Sequence, residues 1–239
     1  MKATVKVLTS GLILFALLMS SCEKSETETK LPFEQSQEEG FKSTTNKNDS
    51  ELKSSSETLL PLLHIRYDAS MSRKEARASF ANEISKYEKE NEKTNRPSSY
   101  LRFEVSTRTG NYAHSQTNGA VWGRFNFLTD QGYKVLPWVR MDNDGDDRRN
   151  DSWDFYYFGV HISSMNWVEA GSGTLALQST DGWYVKWFDI RVSPSHQSSR
   201  ASGSTAIYSD PERWLDNTTA TGWDYYYTGN TGYGRLNFN

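Results

Sequence analysis

The chain has 239 residues, a formal net charge of -3 and a single cysteine, Cys22. A charge balance this close to neutral offers no concentrated basic face, which argues against nucleic acid as a partner. One cysteine cannot form a disulfide within the chain, so stability has to come from core burial, with a bound metal as a further option. The length suffices for one sizeable domain and a tail.

Residues 1–21 have the pattern of a signal peptide that directs export. The segment begins with two lysines, continues with an apolar run over residues 12–18, and ends with small residues before Cys22. This ending resembles the lipobox of bacterial lipoproteins, with Met19 three positions before the cysteine. The resemblance implies that Cys22 is lipidated and anchors the protein in the cell envelope, at the outer membrane or cell surface. The alternatives are an ordinary cleaved signal and an uncleaved anchor, for which the run is shorter than the ~20 residues of a spanning helix.

Residues 22–58 form a polar segment rich in Ser, Thr, Glu, Lys and Asn, with few apolar residues. Such a composition buries too little apolar surface to offset the conformational entropy that folding costs. It therefore predicts a disordered tether, which would hold the working domain away from the membrane.

Residues 59–97 are predicted as a helical segment. After a short apolar run, Ser72 and Glu75 have the spacing of a capping box, which predicts that a helix begins there. Apolar residues then recur at helical spacing, at Ala76, Phe80, Ile84 and Tyr87. This face would either bind a partner or pack on the protein's own domain.

Residues 98–239 are predicted to form an all-β domain. Short runs rich in Val, Ile, Phe, Tyr and Trp alternate with polar residues and are separated by turn residues, which is typical of a two-sheet antiparallel β-sandwich. Pro137 predicts an edge position or a bulge in its run. The predicted strands are 101–106, 121–127, 133–141, 153–162, 174–178 and 183–192.

Five short motifs occur in this domain in a fixed order: Thr109–Asn111, Thr117–Val121, Asp151–Phe155, Asp181–Val192 and Glu212–Asp216. In that order they resemble a PLAT (lipoxygenase-homology) domain over about residues 100–227. The resemblance implies a β-sandwich whose end loops bind calcium and meet membranes or protein partners, and it implies core positions for Trp183 and Trp214. The chain has Asn111 and Asn118 where that family commonly has Asp, and amides attract calcium less than carboxylates do.

The densest acidic cluster is residues 142–147. Calcium takes six to eight oxygen ligands, and a flexible acidic loop can supply several of them, which makes calcium the candidate cofactor. The alternative is a solvated acidic turn between strands. The predicted metal-ligand set is Asp142, Asp144, Asp146, Asp147, Asn118 and Gly110.

Eight tryptophans and thirteen tyrosines raise the question of exposed rings. Trp138, Trp153 and Trp167 lie near predicted loop ends, so they are candidates for contact with a ligand or with a bilayer interface. For each of them the alternative is core packing, because aromatic rings also fill half-buried sheet surfaces.

The chain is not predicted to be an enzyme. Its four histidines lack metal-ligand spacing, no Gly-x-Ser-x-Gly motif occurs, and Glu104 is expected to point to solvent. The predicted function is noncovalent binding of a membrane, lipid or protein ligand by end loops around residues 110–118 and 142–154. The alternatives are a carbohydrate-binding module using exposed Trp and Tyr, or a structural subunit whose helix face, at Phe80, Ile84 and Tyr87, is exposed.

Overall fold

A computed structural model describes residues 59–91, 100–141, 148–162, 164–216 and 222–239. Within these ranges, no helix combines the length and the hydropathy that a membrane span requires. The predicted signal peptide, Cys22, the tether and the acidic cluster at 142–147 lie outside the described residues. The one α-helix there is α1 (Arg73–Asn91), and the strands are β1 (Leu63–Tyr67), β2 (Tyr100–Thr109), β3 (Ala120–Thr129), β4 (Gly132–Val135), β5 (Val139–Arg140), β6 (Trp153–His161), β7 (Trp167–Gln178), β8 (Trp183–Val192), β9 (Ala201–Gly203), β10 (Thr205–Ser209), β11 (Arg213–Leu215), β12 (Trp223–Tyr227) and β13 (Leu236–Phe238).

The strands form two antiparallel sheets that pack as a sandwich, which confirms the predicted fold class. The first sheet has the order β1-β6-β2-β8-β10, and β11 also pairs with β8. The second sheet has the order β4-β3-β7-β13-β9, with β12 paired to β7 and β5 paired to β3. The main core lies between the sheets and is built from alternate residues of their strands, such as Phe103, Phe125, Phe158 and Phe188.

The helix α1 covers the outer face of the first sheet. The predicted capping box is present, because the Ser72 hydroxyl and backbone N–H both donate to the Glu75 carboxylate, at 2.7 and 2.9 Å. Phe80 and Ile84 are fully buried in a second core, which α1 forms with aromatic side chains of β6. The helix therefore packs on its own domain, and its apolar face does not have the exposure that the structural-subunit alternative requires.

Pro137 and β1 affect where strands begin and end. Pro137 lies in the break between β4 and β5, both of which pair with β3, so the proline interrupts an edge as predicted. β1 pairs with β6 along its whole length. The sandwich therefore already begins before α1, within the segment that the sequence analysis assigned to a helical region.

Glu104 does not point to solvent, so that prediction is wrong. Its side chain is buried, and Oε1 lies 3.2 Å from Nδ1 of His196. His196 belongs to a 3₁₀ turn, Pro194–His196, that follows β8. The polar face of an alternating strand is exposed only where no other segment covers it. Here the 3₁₀ turn covers Glu104.

Candidate ligand-binding groove

The outer face of the second sheet carries the candidate site, and β3 supplies its first wall. Val121, Phe125 and Phe127 are buried in the core between the sheets. Because side chains alternate across a strand, Trp122 and Arg124 project from the opposite face. Both are half-buried there.

β12 supplies the second wall. Tyr226 packs against the core, with its ring centroid 6.3 Å from that of Phe188, so its neighbours in the strand point outward. Of these outward residues, Trp223 is half-buried, while Tyr225 and Tyr227 are 54% and 51% exposed. The strand thus presents three aromatic side chains in a row to the outer face.

The strand β7 lies between the two walls and has small side chains on this face. Ala176 is directly opposite Trp122 on one side and Tyr225 on the other. Thr174 takes the same place between Arg124 and Tyr227 one step along the strands. Small residues between rows of large ones leave a depression, whose floor is Ala176 and Thr174.

Trp138, from the break between β4 and β5, closes over this depression. Its ring centroid lies 6.4 Å from that of Tyr225, and the rings of Tyr225 and Trp223 are nearly parallel, at 10° and 6.1 Å. Trp122, Trp138, Trp223 and Tyr225 line a cavity of about 300 Å³. We call this cavity and its continuation over Thr174 the aromatic groove. Its size is at the lower end of the range for small-molecule pockets.

Polar side chains continue the groove beyond Thr174. Asn126 Nδ2 donates to the Ser172 hydroxyl at 2.8 Å, and the Tyr133 hydroxyl lies 2.9 Å from the same oxygen. Asn126 is four residues from Trp122, which corresponds to about 13 Å along an extended strand. The groove therefore joins an apolar cavity to a polar extension, a combination suited to a ligand with both apolar faces and hydroxyl groups.

Three buried polar atoms on this face have no hydrogen-bond partner among the described residues. They are Trp122 Nε1, Arg124 Nε and Asn126 Oδ1. Buried polar atoms are normally paired, because an unmet hydrogen bond costs free energy. Polar groups of a bound ligand, or of water held with it, would supply the missing partners.

The end loops, where the sequence analysis placed the binding site, are tied down by hydrogen bonds. The Gly110 carbonyl accepts from the Asp151 backbone N–H at 2.8 Å and from the Ser115 hydroxyl. Both lone pairs of this oxygen are therefore in use in this arrangement. Asn118 donates its backbone N–H to Asp181 at 3.4 Å, and Thr117 donates its hydroxyl to the same carboxylate at 2.8 Å.

Asp181 is the carboxylate that the structure brings next to Asn118. Burial raises the pKa of Asp181, but hydrogen bonds from Ser179, Thr117 and the Asn118 backbone outweigh it and lower the pKa below its usual value. Among the residues that the structure describes, which do not include 142–147, no group of three or more His, Cys, Asp or Glu side chains has the arrangement of a metal site.

The three tryptophans predicted as ligand contacts lie in three different places. Trp138 lines the aromatic groove. Trp153 is fully buried beneath α1, in the second core. It therefore packs in a core, which was the alternative for this residue, and its ring does not reach a surface ligand. Trp167 is the first residue of β7, at the end of that strand away from Ala176, and the Arg235 guanidinium lies 3.9 Å from its ring centre.

The core positions implied by the PLAT resemblance hold for Trp183 and not for Trp214. Trp183 is fully buried and donates its indole N–H to Thr109 at 2.9 Å. Trp214 is 40% exposed, because β11 is a short strand paired only at the end of β8. The ring of Trp214 contacts Tyr184, which in turn contacts Tyr112.

Tyr112, Tyr184 and Trp214 form an aromatic cluster beside the end loops, which we call the end patch; Tyr112 and Trp214 are exposed and Tyr184 is half-buried. Centroids are 4.7 Å apart for the two tyrosines and 5.4 Å apart for Tyr184 and Trp214. Burial, followed by the hydrogen bond with Tyr112, raises the pKa of Tyr184. Tyr184 therefore stays neutral near pH 7.

Sequence reasoning missed Trp122, Trp223 and Tyr225 as site residues. The signal was present in the alternation: Trp122 is out of phase with the apolar set Val121, Phe125 and Phe127, and Trp223 and Tyr225 share one face of their strand. A tryptophan on the polar side of an alternating strand is a better candidate than one near a loop end.

No family model matches this chain, and no curated protein matches it. Solved structures with a partial likeness include the alpha-toxin of Clostridium perfringens, at 13% identity and a TM-score of 0.37 over 59% of this chain and 35% of that one. The alpha-toxin of Clostridium absonum has 14% identity and a TM-score of 0.35, again over 59% of this chain and 35% of that one. Coral 8R-lipoxygenase, described as activated by calcium through a C2-like domain, has 15% identity and a TM-score of 0.33 over 53% of this chain and 16% of that one. The chain thus spans only a minor part of the length of each of these larger proteins.

Proposed function

We propose that this protein is a noncovalent carbohydrate-binding protein that holds a glycan in the aromatic groove. The observation that carries the proposal is the arrangement of Trp122, Trp138, Trp223 and Tyr225 around one cavity on a sheet face. Sugar rings present flat C–H faces that pack on aromatic rings, while their hydroxyl groups need polar partners at the edge. The groove offers both.

The charge at the groove favours a sugar over a cationic ligand. Four aromatic rings around a cavity would also suit a quaternary ammonium group. However, the Arg124 guanidinium already lies 5.8 Å from the Trp138 ring centre. A cation beside the cavity disfavours a second one, so a neutral or an anionic ligand fits better.

The test is binding of the purified full-length protein to a panel of immobilised polysaccharides, compared with Tyr225→Ala. Tyr225 is more than half exposed, so its removal leaves the core intact. We expect a loss of affinity for the bound glycan of about five- to thirty-fold, since one stacked ring contributes on the order of 1–2 kcal/mol. Tyr112→Ala, an equally exposed tyrosine in the end patch, is the matched control. Equal affinity of native protein and Tyr225→Ala for every glycan bound would contradict the proposal.

A second candidate function is binding of a membrane or lipid surface by the end loops. The end patch favours it, because exposed Tyr and Trp side chains are suited to the interface between water and a bilayer. Calcium, if bound by residues of the 142–147 cluster, would order these loops or bridge them to anionic headgroups. This is the function that the PLAT resemblance implies.

The metal part of this candidate is tested by the thermal midpoint of the full-length protein in millimolar calcium and in chelator. An ion that binds only the folded state raises the midpoint by mass action, so we expect a rise of several degrees with calcium. The rise should vanish in Asp144→Asn/Asp146→Asn. No difference between calcium and chelator would exclude a calcium role at that concentration.

The lipid anchor, the tether and the cellular location are proposed from the sequence. Cys22 would carry the lipid, residues 22–58 would act as the tether, and the sandwich would work at the cell surface without catalysing a reaction. These assignments suit a glycan-binding role, because large polysaccharides are met outside the cell. Metabolic labelling with a fatty acid, compared with Cys22→Ser, tests the lipid anchor.

A further inference from the structure

We infer that the glycan held in the aromatic groove is acidic, with a carboxylate that Arg124 binds. This inference rests on the proposed function and names the ligand class of the same site. Arg124 projects from β3 into the groove between Trp122 and Asn126, opposite Thr174. A carboxylate at the edge of a sugar ring in the cavity would be near Arg124, whose guanidinium carbon lies 5.8 Å from the centre of the Trp138 ring.

The side chain of Arg124 has no carboxylate partner among the described residues. Its contact is the ring of Trp138, 5.8 Å from the guanidinium carbon, and its Nε is buried without a hydrogen-bond acceptor. Several other half-buried arginines of the domain are paired: Arg73 and Arg77 with Asp189, and Arg108 with Asp151. Arg124, in contrast to these, is positioned beside the groove and is not neutralised by a carboxylate of the described residues.

Arg235 shows what a neutralised arginine of the same kind looks like. It lies over Trp167 at 3.9 Å, on the same sheet, and its Nε donates to Glu169 Oε1 at 2.7 Å. Arg124 has the matching ring and lacks the matching carboxylate. A guanidinium fork is well suited to a carboxylate, and a ring beneath it fixes its plane.

The position of Arg124 also separates this inference from a general attraction for anions. The chain as a whole has a net charge of -3, so it has no overall pull on an acidic polymer. Recognition would have to come from one local contact made while the sugar ring packs on the aromatic walls. A uronic acid has both features, a flat apolar ring face and a carboxylate at the ring edge.

The experiment measures dissociation constants of the full-length protein for oligogalacturonate and oligomannuronate, each beside its carboxyl-reduced neutral form and beside neutral glucans and xylans. We expect the tightest binder to be acidic and to lose about ten-fold or more in affinity on carboxyl reduction. Arg124→Gln should remove the same factor, and Arg124→Lys should recover part of it. Affinity should also fall as salt is raised.

The matched control is Arg235→Gln, which removes an arginine from a tryptophan face on the same sheet and should leave glycan affinity within about two-fold. Thermal midpoints of all variants establish that they are folded. If neutral glycans bind best and Arg124→Gln has no effect, the inference is overturned while glycan binding stands. If no glycan binds, or Tyr225→Ala binds as the native protein does, the proposed function itself falls.

Discussion

Trp153→Ala should lower the free energy of unfolding by about 3–5 kcal/mol, the range for removal of a large buried aromatic side chain. Trp153 has no exposed surface and stacks on Trp187 with ring centroids 4.7 Å apart. Its indole N–H donates to the Met71 carbonyl at 3.3 Å, and the Arg108 guanidinium lies 5.1 Å from its ring centre. The ring therefore joins β6 to the segment that leads into α1.

Urea denaturation followed by circular dichroism measures this loss. Tyr225→Ala is the control, since an exposed ring on the other sheet should cost less than about 1 kcal/mol. The pair separates the two roles open to an aromatic residue: Trp153 should act on stability and Tyr225 on binding. A cost below about 1 kcal/mol for Trp153→Ala would show that this ring is not part of the core.

Asp189→Ala should lower the free energy of unfolding by about 2–4 kcal/mol. The carboxylate is 2% exposed and accepts hydrogen bonds from Arg73, from Arg77 at 3.1 Å and from the Ser106 hydroxyl at 3.2 Å. Removing one partner of a buried ion pair leaves the others unpaired, which costs about 3–5 kcal/mol where they stay buried. The two guanidinium groups are 29% and 21% exposed, so water compensates part of that cost.

Glu169→Ala is the matched control, because its ion pair with Arg235 is far more exposed. There we expect a change of about 0–1 kcal/mol. Because Asp189 ties the first turns of α1 to β8, its loss should also speed hydrogen exchange in α1 relative to the sheets. Equal costs for the two carboxylates would contradict the role assigned to the buried pair.

The fold could be predicted because its elements are encoded locally. The alternation of Val121, Phe125 and Phe127 predicts a strand with one core face, and the capping box at Ser72 predicts the start of α1. Both features are confirmed. The burial of Glu104 could not be predicted in the same way, since it depends on the 3₁₀ turn at Pro194–His196, some ninety residues later in the chain.

The aromatic groove could not be predicted either, because its residues come from distant parts of the sequence. Trp122 and Tyr225 are far apart in sequence and meet only because both strands pair with β7, on either side of Ala176. Strand order is not readable from alternation, so a single sequence shows which face a ring takes and not which rings share it. Trp214 shows a limit of motif resemblance. The resemblance implied a core position for this residue, but the short strand β11 leaves it 40% exposed.

The indole N–H resonances of the tryptophans report whether ligand binds in the aromatic groove. In a ¹⁵N-labelled protein titrated with the oligosaccharide that binds best, the signals of Trp122, Trp138 and Trp223 should shift together. Those of the buried Trp153 and Trp183 should stay in place. Shifts confined to Trp214, in the end patch, with the three groove signals unchanged, would contradict the account and move the binding site to the end loops.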